Sequence, residues 1–265
     1  MKIDIHTHLF TRWTPWTLEP DFVNRTQDFV LPKIEEKGLD GIALVNFADF
    51  RFEIFVGGHS ELYSAKHLDN ASVFKNRETG KEVVVIKGQE LPVDERYHVL
   101  LLGDEMDSAA ESGVPLERAY KFARNKGLTM IADHALPRHP LGSAKDVCIG
   151  VDRLIENKDC FHAFEARNGN YANITEQEIC DLEKKIGLPA TVGSDCHDLK
   201  RLGSSYLDIE VDLSSANNLR DSLATNIFSG NFVRYSEPRN RFAYLVQSGK
   251  HIAELVPLII KGKFS

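Results

Sequence analysis

Hydrophobic and polar positions follow two periods in turn along this chain. Short apolar, β-branched runs predict buried strands over residues 2–6, 41–47, 83–86, 99–102, 128–132, 161–165 and 190–192. Apolar positions at helical spacing predict helices over residues 116–126, 176–186 and 219–228. The first two should end at Gly127 and Gly187, because glycine takes the left-handed backbone of a carboxy-terminal cap without strain. A further helical stretch over residues 22–37 should be interrupted at Pro32, which lacks the amide proton. Residues 59–77 are polar and predict a partly helical segment. Repeated strand–helix alternation predicts an α/β architecture built on a mostly parallel sheet. One connection breaks the rule. Glu90 and Val99 are separated by the short turn Pro92-Val93-Asp94-Glu95, and parallel neighbours need a crossover of about a dozen residues or more. These two strands should form an antiparallel hairpin, bringing Glu90 close to His98.

Composition adds bounds to this outline. The chain has 265 residues, 42% hydrophobic and 27% charged, enough to bury a large core without staples. No linker, repeat or low-complexity tract divides it, so a single domain over 1–265 is expected, with residues 239–265 as a helical appendage. Formal net charge is −7 and no basic run is present, from which no long duplex nucleic acid partner is expected; a nucleotide or short single strand stays open. The amino-terminal residues lack the apolar run of a signal peptide. The longest apolar stretch, residues 255–260, is broken by Pro257, so no membrane contact and a cytoplasmic location are expected. Cys148, Cys160, Cys180 and Cys196 show no metal or disulfide spacing and read as reduced thiols. No GxGxxG or P-loop follows any strand, which leaves a dinucleotide-binding fold unsupported.

The candidate chemistry gathers at strand ends. Asp4-Ile5-His6-Thr7-His8 places three polar side chains on one face of an extended segment, where two imidazoles can share a divalent ion. Asp4 could orient an imidazole through its other nitrogen, or bind metal itself. Gly193-Ser194-Asp195-Cys196-His197 repeats the pattern after another strand, with Cys196 expected to pack on the opposite face. Glu90, His98 and His134 fall at further strand ends, the edge where α/β barrels build their sites. Singly each is a weak signal. Their repetition at one edge points to a metal centre.

These segments, together with Gly88-Gln89-Glu90, Tyr97-His98-Val99-Leu100, Ile131-Ala132-Asp133-His134 and Phe164-Glu165-Ala166-Arg167-Asn168, resemble in order and spacing the motifs of the PHP (polymerase and histidinol phosphatase) superfamily over roughly residues 1–230. The resemblance implies a distorted seven-stranded (β/α) barrel, divalent zinc, manganese or iron, and phosphoester hydrolysis. It implies a first metal held by His6, His8, Glu90 and Asp195, with Glu90 bridging to a second bound by His98 and His134. Where the family carries third-metal ligands, this chain has Arg12-Trp13 and Val45-Asn46-Phe47. Two divalent ions are therefore expected, with His197 freed to contact phosphate or move a proton. The family's usual His-Pro pattern appears here as His139-Pro140, so His139 stands as the alternative to His134.

The expected reaction is hydrolysis of a small phosphate ester or nucleotide by a metal-bridging hydroxide, with Asp195 orienting that water or taking its proton. Arg138 and Arg167, each just past a strand, are candidate phosphate contacts. Glu165 and Asn168 are expected to orient their loop rather than to react. Trp13 and Trp16 fill the space of the missing ion or form a stacking wall. Two other readings stand beside this one: an amidohydrolase-type metal hydrolase, although its usual bridging lysine has no counterpart, and a degenerate, non-catalytic metal-binding module.

Overall fold

The computed structural model describes residues 1–9, 26–45, 52–94, 97–106, 113–136, 148–168, 174–197 and 199–237. Arg12, Trp13, Trp16, Asn46, Phe47, Glu95, Arg138, His139 and residues 239–265 lie outside them, and with them the readings attached to those positions.

Seven strands make a ring: β1 (Lys2–Thr7), β2 (Gly41–Leu44), β5 (Glu82–Val93), β6 (Tyr97–Leu102), β7 (Thr129–Ala132), β8 (Ala163–Asn168) and β9 (Ala190–Gly193). Pairing is parallel from β1 through β2 to β5 and from β7 through β8 to β9. The reversed strand is β6, antiparallel to both neighbours. Its register sets Glu90 opposite Leu100 and Pro92 opposite His98, the hairpin that the short turn demanded. The ring closes through a parallel bridge between Thr7 and Cys196, where the His8 amide donates to the Cys196 carbonyl at 2.9 Å and the Asp195 amide to the His6 carbonyl at 2.9 Å.

A hairpin and a further antiparallel pair add strands to this ring and correct the expectation of a mostly parallel sheet. β3 (Tyr63–Leu68) and β4 (Ala71–Asn76) pair with each other, and β4 pairs with β5. This segment was expected to be partly helical. A two-residue turn at Asp69-Asn70 instead folds it back, since both residues tolerate turn geometry and Leu68 sits opposite Ala71. β10 (Ser205–Ile209) pairs with the start of β1, and β11 (Phe232–Ser236) pairs with β10.

The helices are α1 (Thr26–Glu36), α2 (Phe52–Val56), α3 (Leu116–Lys126), α4 (Val151–Glu156), α5 (Glu176–Ile186) and α6 (Ala216–Phe228). α1 continues through Pro32 rather than stopping there. Proline removes one ladder hydrogen bond, and burial of Val30, Leu31 and Ile34 on the same helix outweighs that loss. α3 and α5 end as expected at Gly127 and Gly187, with φ of 66° and 80°. A capping box, in which Thr175 and Glu178 bond each other's backbone, starts α5.

Side-chain alternation sorts the core into three buried groups. Val84, Ile86, Leu100, Leu102 and Ile131 join Leu219, Leu223 and Ile227 of α6. The alternate residues on one side, Ile42, Leu44, Val83 and Val85, pack under α1 and α2. On the other side Val99, Leu101, Met130 and Phe164 pack under α3, α4 and α5. Cys196 is fully buried among the residues beneath α1 and α2, as its place in the alternation required.

Candidate active site

The alternation that carries Val84 and Ile86 continues to Glu90, and that of Leu102 and Leu100 continues to His98. The apolar group thus passes into a buried polar cluster. On β1 the register with β2 shifts between Asp4 and Thr7, where Ile3 and Ile5 give way to His6 and His8. A bulge re-aims side chains, and His6 joins the same cluster. His134 and Asp195 follow β7 and β9 directly, with φ of 44° and 46°. Both therefore hold left-handed backbone at some cost, an arrangement that concentrates at sites under geometric demand.

The cluster is tight. His6 Nε2 and His8 Nε2 face each other at 3.0 Å. Glu90 Oε2 lies 2.9 Å from His8 Nε2 and 4.0 Å from His6 Nε2, and Asp195 Oδ1 lies 3.6 and 3.7 Å from the same two nitrogens. The other oxygen of Glu90 bonds His98 Nδ1 and stands 3.5 Å from His134 Nε2. Asp195 Oδ2 is 4.0 Å from His134 Nε2. One carboxylate, Glu90, therefore lies between the His6–His8 pair and the His98–His134 pair. His197 stands at the rim, half exposed, stacked on His8 with centroids 4.7 Å apart and 3.3 Å from Asp195 Oδ1. The structure thus gathers all six residues of the expected ligand set, and it places His134 inside it.

One expected role is corrected. Asp4 neither orients an imidazole nor faces the cluster; its carboxylate accepts from the amides of Ser194 and Gly203, each at 3.0 Å, and ties β1 to the segment after β9. Arg167 donates to the carbonyl of Ile174, just before α5, and lies 3.9 Å from Glu176. A bulge between Glu165 and Arg167 separates the two side chains.

Three participants went unassigned or were given another part. Glu165 Oε1 is 2.8 Å from His6 Nδ1, so it contacts imidazoles rather than orienting a loop. Asn168 Nδ2 donates to Glu165 Oε2 at 3.0 Å and lies 2.6 Å from His134 Nδ1. Asp133 Oδ1 takes the His134 amide at 2.7 Å, while its Oδ2 is buried with no hydrogen-bond partner among the described residues. The signal for Glu165 was present: it falls two residues after the buried Ala163, on the same face.

Charge within the cluster is strongly coupled. Burial pushes the Glu90 carboxyl up, but the imidazoles of His98 and His8 outweigh it and hold the group well below the ordinary range. Burial likewise opposes ionisation of Glu165, yet His6 and His134 draw it down to about 2. Asp195 is lowered against its burial by His6, and by the hydrogen bond from His197. Burial raises Asp133 well above a normal carboxyl. His6 and His134 are raised well above the usual imidazole range, because the carboxylates outweigh their burial. Burial lowers His8.

Two overlapping groups of side chains could hold a divalent ion: His6, His8 and Asp195, and His6, Glu90, Asp133 and His134. The donors fit. Nitrogen and oxygen atoms separated by 2.9–3.7 Å are spaced like ligands around one small ion, ~3.3 Å apart for tetrahedral bonds of ~2.0–2.1 Å. Facing imidazole nitrogens and an orphaned buried carboxylate oxygen are costly without a cation between them.

Comparison with known proteins bears on one segment of the sequence and on the fold. A family model described as PHP-associated matches residues 175–226, which carry α5, β9, Asp195, His197, β10 and the start of α6. PsfC from Pseudomonas syringae PB-5123 shares the fold with a TM-score of 0.58 at 16% identity, over 96% of this chain and 98% of that one. The likeness in sequence to a PHP-associated family covers residues 175–226, and the likeness in fold runs along nearly the whole chain. Endonuclease Q, solved with a 27-mer duplex bearing an abasic lesion, shares the fold at a TM-score of 0.54 and 16% identity. The lesion-specific PfuEndoQ from Pyrococcus furiosus does so at 0.53 and 14%. The chain covers 57% of each endonuclease, and each match spans 88% of it. No curated protein matches it in sequence.

The duplex-bound endonuclease overturns the exclusion of long duplex nucleic acid. Net charge over a whole chain does not measure the local field at a groove, and bound cations neutralise phosphate as side chains do. No helix among the described residues is long and apolar enough to cross a membrane.

Proposed function

We propose that this chain is a metal-dependent phosphoesterase acting at a two-ion centre. His6, His8, Glu90 and Asp195 would hold one ion, and Glu90, His98 and His134 the other. The observation that carries this is Glu90, whose two carboxylate oxygens each contact a different histidine pair inside a buried cluster. When bound, divalent ions supply a water of lowered pKa and positive charge for the phosphoryl oxygens. The chain's own residues do the rest. Asp195, with one oxygen toward His8 and the other toward His134, orients the attacking water and takes its proton. His197, exposed at the rim and bonded to Asp195, is placed to touch an entering phosphate or pass that proton outward. Burial of the remaining cluster excludes bulk water and strengthens every electrostatic contact.

The substrate is a phosphate ester, with a small ester or nucleotide as the first reading. Shared architecture with the duplex-bound endonuclease Q favours a second, a phosphodiester of nucleic acid. Turnover of an aryl phosphate monoester, an aryl diester and a duplex with an abasic site, each with added manganese, separates them. Hydrolysis of at least one, lost in Asp195→Asn with metal retained, is the expected result. Intact metal content with no turnover of any ester would leave the amidohydrolase or non-catalytic readings.

A further inference from the structure

We infer that Glu165 is a positioning residue for the first ion site, holding His6 in the tautomer that presents Nε2 to metal. This rests on the two-ion reading above.

The geometry is specific. His6 belongs to β1 and Glu165 to β8, with β9 between them, yet His6 turns Nδ1 onto the Glu165 carboxylate. Oε1 is 2.8 Å from His6 Nδ1, whereas at His134 Nδ1 both Asn168 Nδ2 (2.6 Å) and Asp133 Oδ1 (3.2 Å) lie nearer than Oε2 (3.4 Å). Asn168 Nδ2 donates to Oε2 at 3.0 Å and steadies the side chain. An Nδ1–H held by a carboxylate leaves the lone pair on Nε2, and His6 Nε2 faces His8, Glu90 and Asp195.

To reach His6, Glu165 must cross β9, and it does so beside Gly193. A Cβ there would stand 2.4 Å from His6 Cβ and 3.0 Å from Glu165 Oε1. The glycine answers a need for space, because its φ is not among the positive values. Asp133 is the competing orienter, 3.4 Å from His6 Nδ1 and 3.2 Å from His134 Nδ1. Its Oδ1 is already taken by the His134 amide, so the shorter contact to His6 belongs to Glu165.

A glutamine at this position keeps one acceptor and gains an NH2 group. Asn168 Nδ2 donates to Oε2 and claims the acceptor, so the NH2 group meets His6 Nδ1 and the orienting contact is lost. Glu165→Gln and Glu165→Ala should therefore each weaken one ion site by about ten- to a hundredfold and spare the other. Asp133→Asn should have the smaller effect.

The test is a cobalt(II) titration of the full chain and the three variants, followed by visible absorption and competition with a chelator. Two ions in wild type and a split pair of affinities in Glu165→Gln support the inference. A wild type with two ions, and a Glu165→Gln variant holding both with affinities within twofold, sinks the inference and leaves the two-ion reading standing. A wild type that takes up no cobalt sinks both. Should Glu165→Gln fail to fold, nitrogen-15 imidazole spectra of the zinc-loaded wild type decide. An Nδ1–H signal from His6 supports the role, and an Nε2–H signal from His6 overturns it.

Discussion

Two buried faces of the barrel strands invite comparison. Where α6 packs, Leu219, Leu223 and Ile227 meet Ile3, Val84 and Leu102, and the contacts are apolar. At the edge where β1, β7 and β9 run out, His6, His8, Glu90, Asp133, His134, Glu165 and Asp195 are buried too. The same strands serve both, since Glu90 continues the alternation of Val84 and Ile86. Apolar burial stabilises by itself, at roughly 25 cal/mol per Å². Buried charges gain little net even when opposite signs pair, because each must be desolvated, and left-handed backbone at His134 and Asp195 adds further strain. The apolar end therefore carries the fold, and the polar end is held in place by it.

The sharpest way to break this contrast is Asp195→Asn. It should lower ester hydrolysis by about a hundredfold or more while lowering the unfolding midpoint of the apo chain only modestly, through lost contacts with His6 and His197, as read by steady-state kinetics and urea unfolding. Equal losses in both would erase the division between the two ends. Leu223→Ala is the mirror experiment. It should cost about 2–5 kcal/mol in urea unfolding and leave metal affinity alone below the transition.

Acidity separates the ends next. His6 and His134 hold protons above the usual imidazole range, and an ion needs their Nε2 lone pairs free. Below those pKa values the charged rings repel a cation, and affinity rises as pH rises through them. Manganese should bind about tenfold tighter per pH unit for each proton displaced between pH 6 and 8, with the release detected by calorimetry in buffers of different ionisation enthalpy. A flat profile would mean that the rings are already neutral. The smallest effect belongs to a cap far from the cluster. Gly127→Ala forces a side chain into φ of 66° with open space around it, and should cost about 1 kcal/mol of stability and nothing in metal binding.

Much of this contrast was legible in the residue order. Alternation in Asp4-Ile5-His6-Thr7-His8, the short turn after Glu90 and the glycines closing α3 and α5 each act locally, so pattern and structure agree. The β3–β4 hairpin was missed because much of it is exposed, leaving no clean alternation to read. β11 has no buried residue. The carboxylate partner of His6 was missed for another reason. Asp4 is nearest in sequence, but backbone amides claim it, and the partner is Glu165, 159 residues away. Extended geometry says which face a side chain takes; only the closed ring says what waits there.

The central claim is a two-ion centre at the polar end. Its most direct test is metal content by inductively coupled plasma mass spectrometry after manganese or zinc loading and gel filtration. About two tightly held ions per chain, falling to one or none in His6→Ala, is the predicted result. Three ions in wild type, or two that survive the loss of His6, would contradict it.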